Sequence, residues 1–177
     1  LNLEMAATTE MTAIAVRHRP HAACIVPEKR EERTTEGGLD VAGGGAKLAD
    51  TVAELKDAGI RVSLFIAPET AQLEAAQDLG VPVVELHTGT YCDLTGEARL
   101  AELEKIRAAV ELADRMGIEC HAGHGLTFNS VKLIAGIPNI RELNIGHFLI
   151  AEAIFTGLPD AIKEMKKLIR EARLTVY

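Results

Sequence analysis

The stretch Val83-Val84-Glu85-Leu86-His87, residues 83–87, is the part of the sequence that best indicates the fold class. Successive side chains of a β-strand point to opposite faces, so Val83, Glu85 and His87 share one face and Val84 and Leu86 share the other. A strand covered by helices on both faces is nearly continuously apolar. The alternation therefore predicts helices on one side of this strand and a polar interior on the other.

Three further strand candidates carry a polar face of the same kind. These faces hold Asn2 and Glu4 in residues 1–5, Glu119 and His121 in residues 118–123, and Asn144 in residues 141–146. The length of 177 residues alone favours an open doubly wound sheet. The polar faces instead favour a (β/α)8 barrel, in which helices surround the strands and the active site lies at their carboxyl ends.

The chain alternates strand and helix candidates throughout, which is typical of a parallel sheet. Besides the four strands above, residues 23–27 and 61–67 are strand candidates, and helices are expected at 8–17, 46–58, 69–79, 97–116, 128–135, 148–156 and 159–172. No linker or repeat divides the sequence, so we expect one domain over residues 1–177. Six βα units are three-quarters of a barrel. Because Leu1 opens directly into a strand, we expect the barrel's first two strands to be missing.

The composition excludes several function classes. A net charge of -7 and an isoelectric point near 5.4 disfavour nucleic acid or an anionic membrane as a partner. The three cysteines have no metal-type spacing, and no apolar run approaches the roughly 20 residues that span a bilayer. A cytoplasmic protein is the expectation.

Glu4, Glu85 and His124 are the candidates for acid–base chemistry. Two carboxyl groups that converge in a water-poor barrel interior can take different pKa values and divide acid and base work. No lysine or arginine lies on the polar faces of these four strands, which favours function over structural ion pairing. His124 lies between two glycines after a strand, where barrels present catalytic loops.

Gly125 and the pair Gly146-His147 are candidates for phosphate binding. Each follows a strand and precedes a helix, and the last such junctions of a barrel commonly hold phosphate through backbone N–H groups. Thr34, in the long polar loop after residues 23–27, is a further candidate for substrate contact.

A metal site is the alternative for the same faces. His87 and His121 could bind a cation together with Glu4 and Glu85, as in metal-dependent sugar-phosphate epimerases or aldolases. Neither an HxH nor an HExxH spacing supports that interpretation.

Six motifs taken together resemble the pyridoxine 5'-phosphate synthase family. They are Asn2-Leu3-Glu4-Met5, Val26-Pro27-Glu28-Lys29-Arg30, residues 34–40 (TTEGGLD), Glu85-Leu86-His87-Thr88-Gly89, residues 122–126 (AGHGL) and residues 143–147 (LNIGH). The resemblance implies a (β/α)8 barrel that condenses 3-amino-2-oxopropyl phosphate with 1-deoxy-D-xylulose 5-phosphate. It implies no cofactor and no metal.

The resemblance also implies a role for each candidate residue. Glu4 corresponds to a proton acceptor, His124 to a proton donor and Glu85 to a residue that supports the transition state. Contacts to substrate phosphate are implied for Thr34, Gly125, Gly146 and His147. The family's octameric assembly implies self-association.

The sequence departs from the family pattern at several points. His121 stands where the family usually has asparagine, and three glycines, Gly43 to Gly45, stand where more polar residues are expected. The family's first two strands, which carry a catalytic histidine and phosphate-binding arginines, have no counterpart. A catalytically inactive fragment therefore stays open as a second alternative.

Overall fold

The computed structural model describes residues 1–29, 32 and 37–174. Six parallel strands form one sheet in chain order. They are β1 (Asn2–Met5), β2 (Ala22–Ile25), β3 (Arg61–Ile66), β4 (Val83–His87), β5 (Glu119–Gly123) and β6 (Ile140–Asn144). All six predicted strands are confirmed, with their ends displaced by at most two residues.

The sheet is strongly curved, and the contacts of one carboxylate on its inner face show this curvature. Oε2 of Glu85 on β4 accepts hydrogen bonds from Cys24 on β2 and from Asn144 on β6. Neighbouring strands lie about 4.8 Å apart, so a flat sheet would separate β2 from β6 by roughly 19 Å. Both reach the same oxygen only because the sheet is strongly curved. The predicted barrel class is confirmed as a partial (β/α)8 barrel of six βα units.

Eight α-helices are found among the described residues. They are α1 (Thr9–His18), α2 (Gly45–Asp57), α3 (Thr70–Asp78), α4 (Gly89–Asp93), α5 (Gly96–Arg115), α6 (Val131–Ala135), α7 (His147–Thr156) and α8 (Leu158–Leu174). Seven were predicted. The short α4 was not, because five residues with a leading glycine show no helical periodicity. No helix in the described ranges is both long and apolar enough to cross a bilayer.

The apolar core lies between the outer face of the sheet and the helices. Leu64 and Ile66 of β3 and Val84 and Leu86 of β4 are fully buried there, together with helix residues such as Leu55 and Ile106. This arrangement confirms the predicted division of β4 into an apolar outer face and a polar inner face. The inner face is consequently left for polar side chains, which converge within the curl.

Candidate active site

A cavity of about 880 Å³ opens at the carboxyl ends of the strands. Polar residues from three strands, from the segment after β5 and from the first position of α7 line it: Glu4, Glu85, His87, His124, Thr127, Asn144 and His147. Six of the seven residues predicted for the site contribute to its lining, namely Glu4, Glu85, His124, Gly125, Gly146 and His147. Thr34 lies outside the described residues.

Glu85 is the buried carboxyl group of this cavity, with only 4% of its surface exposed. Nδ2 of Asn144 donates a hydrogen bond to Oε2 at 2.7 Å, and Sγ of Cys24 approaches the same oxygen at 3.7 Å. Burial raises the pKa of Glu85 to about 7; the charge of Glu4 adds to the rise, and the Asn144 hydrogen bond opposes it. Glu85 can therefore give or take a proton near neutral pH.

Gly123 makes room for this carboxyl group. A Cβ atom at position 123 would lie 2.2 Å from Oε1 of Glu85 and 2.9 Å from the backbone oxygen of Asn144. Because no real Cβ tolerates such contacts, the end of β5 must be glycine for Glu85 to occupy its place.

Glu4 lies on the edge strand β1 and contributes to the same cavity, but it is exposed. The expectation of two carboxyl groups in a water-poor interior is therefore wrong for Glu4. The physical reason is that β1 pairs only with β2, so its inner face is open on one side. The two carboxyl groups therefore have different surroundings, because Glu4 is exposed to solvent and Glu85 is buried.

His124 follows β5 with a φ of 76°, and Gly125 follows it with a φ of 81°. Its imidazole stacks on the ring of His87, with centroids 5.0 Å apart and planes inclined by 26°. Phe65 packs its edge against His87, with ring centroids 5.3 Å apart. The predicted loop histidine is thus placed beside a second histidine that the sequence suggested only as a metal ligand.

Gly146 and His147 lie at the amino end of α7, where Gly146 is the N-cap and His147 is the first helical residue. Both are exposed at the cavity. The first backbone N–H groups of a helix lack intrahelical partners, and the helix dipole favours an anion there. Gly125 lines the same cavity, so three of the four predicted phosphate-binding positions, Gly125, Gly146 and His147, border a common space.

A second polar cluster lies toward the amino ends of the strands. Nε2 of His121 is 2.8 Å from Glu119, its Nδ1 is 3.6 Å from Glu142, and Arg61 is 3.0 Å from Glu119. Arg61 belongs to β3, which the polar-face analysis of four strands did not include. An ion pair thus exists on the inner face of the sheet, but it is partly exposed and involves Glu119 and not Glu85.

The metal-site interpretation places His87 and His121 with Glu4 and Glu85. His121 pairs with Glu119 and Glu142, whereas His87 stacks on His124. Within residues 1–29, 32 and 37–174, no three His, Cys, Asp or Glu side chains are grouped so that they could hold one metal ion.

Several residues of the site were not singled out from the sequence. Cys24 and Asn144 contact Glu85 across 61 and 59 residues of chain, and such long-range contacts leave no local pattern. A sequence signal existed for Asn144, since its predicted face was inward. Cys24 carried none, because its place beside Glu4 depends on the register of β1 and β2, which only the structure gives.

Comparison with known proteins adds a family to this geometry. The family model described as "Pyridoxal phosphate biosynthesis protein PdxJ" matches residues 1–171. The pyridoxine 5'-phosphate synthase of Rhodospirillum rubrum is 65% identical over 94% of this chain and 67% of its own length. The corresponding protein of a Jannaschia species is 59% identical over 98% of this chain and 71% of its own length.

Solved structures support the fold. The Amycolatopsis orientalis BexX/CysO complex contains a chain that matches with a TM-score of 0.64 and 15% identity, over 94% of this chain and 61% of that one. A xylose isomerase domain protein from Planctomyces limnophilus matches with a TM-score of 0.57 and 13% identity, over 95% and 70% respectively. At these identities the likeness concerns the fold alone. The family match and the identities of 59–65% show that the chain belongs to the PdxJ family of pyridoxal phosphate biosynthesis proteins.

Proposed function

We propose that the chain catalyses the pyridoxine 5'-phosphate synthase reaction. In that reaction 3-amino-2-oxopropyl phosphate and 1-deoxy-D-xylulose 5-phosphate condense to pyridoxine 5'-phosphate, releasing phosphate and water. The names of relatives at 57–65% identity support it. The observation that carries it is Glu85, a buried carboxyl group with a pKa near 7, in the same cavity as His124.

The ring-closing condensation requires repeated proton exchange, through imine formation, dehydration, enolisation and phosphate elimination. In this proposal Glu4 accepts a proton, His124 donates one, and Glu85 stabilises the charge that develops between them. Three observations support these roles: the residues line one cavity, the ring of His124 stacks on that of His87, and the pKa of Glu85 is raised. The reaction as proposed needs neither a metal nor an organic cofactor, because the reacting amine is part of a substrate.

We assign the phosphate of the amino-ketone substrate to Gly125, Gly146 and His147, and a further phosphate contact to Thr34. The amino end of α7 supports this assignment, because its N–H groups give an acidic protein a local site for an anion. The glycine at position 125, whose φ is 81°, allows the backbone to approach a ligand closely.

Self-association, a cytoplasmic location and a single domain belong to the same proposal. Ile150, Ile154 and Phe155 of α7 are exposed, which supports burial against another polypeptide surface, as in the octamer expected for the family. The three free cysteines support a reducing compartment. One large hydrophobic cluster that links most strands and helices supports a single domain.

The test is to incubate the purified chain with both substrates and to measure pyridoxine 5'-phosphate and released phosphate together. A parallel reaction includes the part of the Rhodospirillum rubrum relative that has no counterpart in this chain. A third contains a metal chelator. We expect equal amounts of pyridoxine 5'-phosphate and phosphate in at least one of the first two reactions. Adding the chelator to that reaction should leave both amounts unchanged.

Absence of product in both reactions, with a folded chain, would overturn the proposal and favour an inactive fragment. Loss of product only with the chelator would favour a metal-dependent enzyme. Product only after complementation would retain the assignment and show that this chain supplies one part of the site.

A further inference from the structure

His124 has a backbone conformation that needs support. It is a residue with a side chain at a φ of 76°, in the left-handed region, and Gly125 continues in that region with a φ of 81°. A side chain at such a φ is unfavourable, and the glycine beside it permits other conformations of the turn. Since His124 is also exposed, its own burial does not fix it.

Thr88 contacts both peptide groups that flank the Cα atom of His124. Its backbone N–H donates to the carbonyl oxygen of Gly123 at 2.8 Å. Its hydroxyl group lies 2.8 Å from that same oxygen and 2.6 Å from the carbonyl oxygen of His124. The peptide planes before and after a Cα atom define its φ and ψ, so this contact set holds both torsions of His124.

The Thr88 hydroxyl does not cap the helix that it begins. Thr88 is the N-cap of α4, where a threonine commonly accepts a hydrogen bond from its own helix, yet its side chain makes no such bond. It is fully buried and turned toward the end of β5 instead. This orientation indicates that the hydroxyl serves the His124 turn.

His87 supports the imidazole of His124 in turn. His87 is 9% exposed, and its ring stacks on His124 at 5.0 Å and meets the edge of Phe65 at 5.3 Å. The backbone at Gly89 is close to both imidazoles, since a Cβ atom there would lie 2.6 Å from the His87 ring and 3.1 Å from the His124 ring. The ring of His87 is therefore wedged in place and presents a fixed plane to His124.

We propose that His87 and Thr88, consecutive residues at the end of β4, are positioning residues that hold the ring and the backbone of His124. This inference rests on the proposed function for the role of His124 as proton donor. It deepens that function by assigning the orientation of the donor to β4, the strand that also carries Glu85. Proton donor and buried carboxyl group are thereby fixed relative to each other.

The experiment compares variants that keep or remove each contact. Thr88→Val deletes the hydroxyl in nearly the same shape, and Thr88→Ser restores it. His87→Phe keeps a flat ring, whereas His87→Leu removes it. Thr51→Val is the matched control, because it deletes the hydroxyl of another buried threonine on α2, away from the cavity.

The first measurement is the NMR signals of the His124 ring and backbone, assigned by comparison with a His124→Asn variant. Thr88→Val should displace the backbone signals of His124 and lower the NMR order parameter of its ring, and Thr88→Ser should restore both. His87→Leu should move the ring signals, and His87→Phe should retain the ring order. Thr51→Val should leave all of them unchanged.

The second measurement is product formation. Thr88→Val should lower kcat by at least about tenfold and leave KM within about threefold, since a displaced proton donor slows the chemistry more than binding. Thr88→Ser should recover most of the loss. Unchanged His124 signals in Thr88→Val and His87→Leu, or failure of Thr88→Ser to restore them, would overturn the proposal.

The two proposals fail separately. If the unmodified chain forms no product, the proposed function fails, and the NMR signals still decide whether His87 and Thr88 position His124. If Thr88→Val does not fold, Thr88→Ala removes the same hydroxyl without adding a branch, and the His87 variants test the ring contact independently.

Discussion

Two glutamates on the inner face of one sheet, Glu85 and Glu119, show opposite electrostatics. Glu119, whose side chain is 38% exposed, pairs with His121 and Arg61, and these hydrogen bonds lower its pKa. Glu85 is buried, receives the neutral donors Asn144 and Cys24, and has its pKa raised to about 7 by burial. Hydrogen bonds from His121 and Arg61 thus favour the charged form of Glu119, whereas burial favours the protonated form of Glu85.

The largest expected effect of this difference is on catalysis. Glu85→Gln should lower product formation about 10²- to 10³-fold, since the loss of one group that stabilises transition-state charge costs about that much. Glu119→Gln should change it less than about threefold, because its carboxylate faces its own ion pair. The measurement is the rate of pyridoxine 5'-phosphate formation by both variants under identical conditions. Similar losses in both would break the comparison.

A smaller effect is expected on the pH dependence of stability. The folded protein holds the Glu85 proton up to about pH 7, whereas the unfolded chain releases it near 4.5, the ordinary pKa of a glutamate side chain. This contribution is therefore complete below about pH 4.5 and is lost as the pH rises through about 7, by up to about 3 kcal/mol.

Glu85→Gln cannot release that proton, so it should gain stability relative to the unmodified chain between pH 5 and 8. Urea unfolding of both proteins at several pH values measures this gain. A stability difference that stays constant across this range would contradict the raised pKa. Glu119→Gln serves as the control, and no gain toward high pH is expected for it.

The smallest effect is expected from the ion pair itself. Arg61→Met should cost less than about 1 kcal/mol, because the Arg61 and Glu119 side chains are both more than a third exposed and screened by solvent. The loss should shrink further in 1 M salt. Thermal unfolding at low and high salt measures this loss. A loss of several kcal/mol would mean that the pair contributes much of the stability of the sheet.

Much of the fold was predictable because it depends on local patterns. The alternation in residues 83–87 predicted which face of β4 is polar, and that face holds Glu85 and His87 at the cavity. The helix α4 was missed, because its five residues are too few to show a period.

The site was less predictable, because its chemistry depends on contacts between distant segments. Glu85 was identified as a candidate from its strand position, but its raised pKa depends on burial and on Glu4, 81 residues earlier in the chain. The exposure of Glu4 and the Arg61–Glu119 pair escaped prediction for the same reason: strand alternation gives the face of a side chain and not what covers it.

The close approach of Gly123 to Glu85 couples the amino acids that these two positions can accept. A methyl group at 123 would occupy the space of a carboxylate oxygen of Glu85 and lie too close to the backbone oxygen of Asn144, so alanine there would require both a shorter acid at 85 and a small shift of β6. That shorter acid would retreat from Asn144 and lose the hydrogen bond that limits its pKa. Residue size at one position and proton affinity at the other would thus covary among relatives, two traits set by a single contact between neighbouring strands.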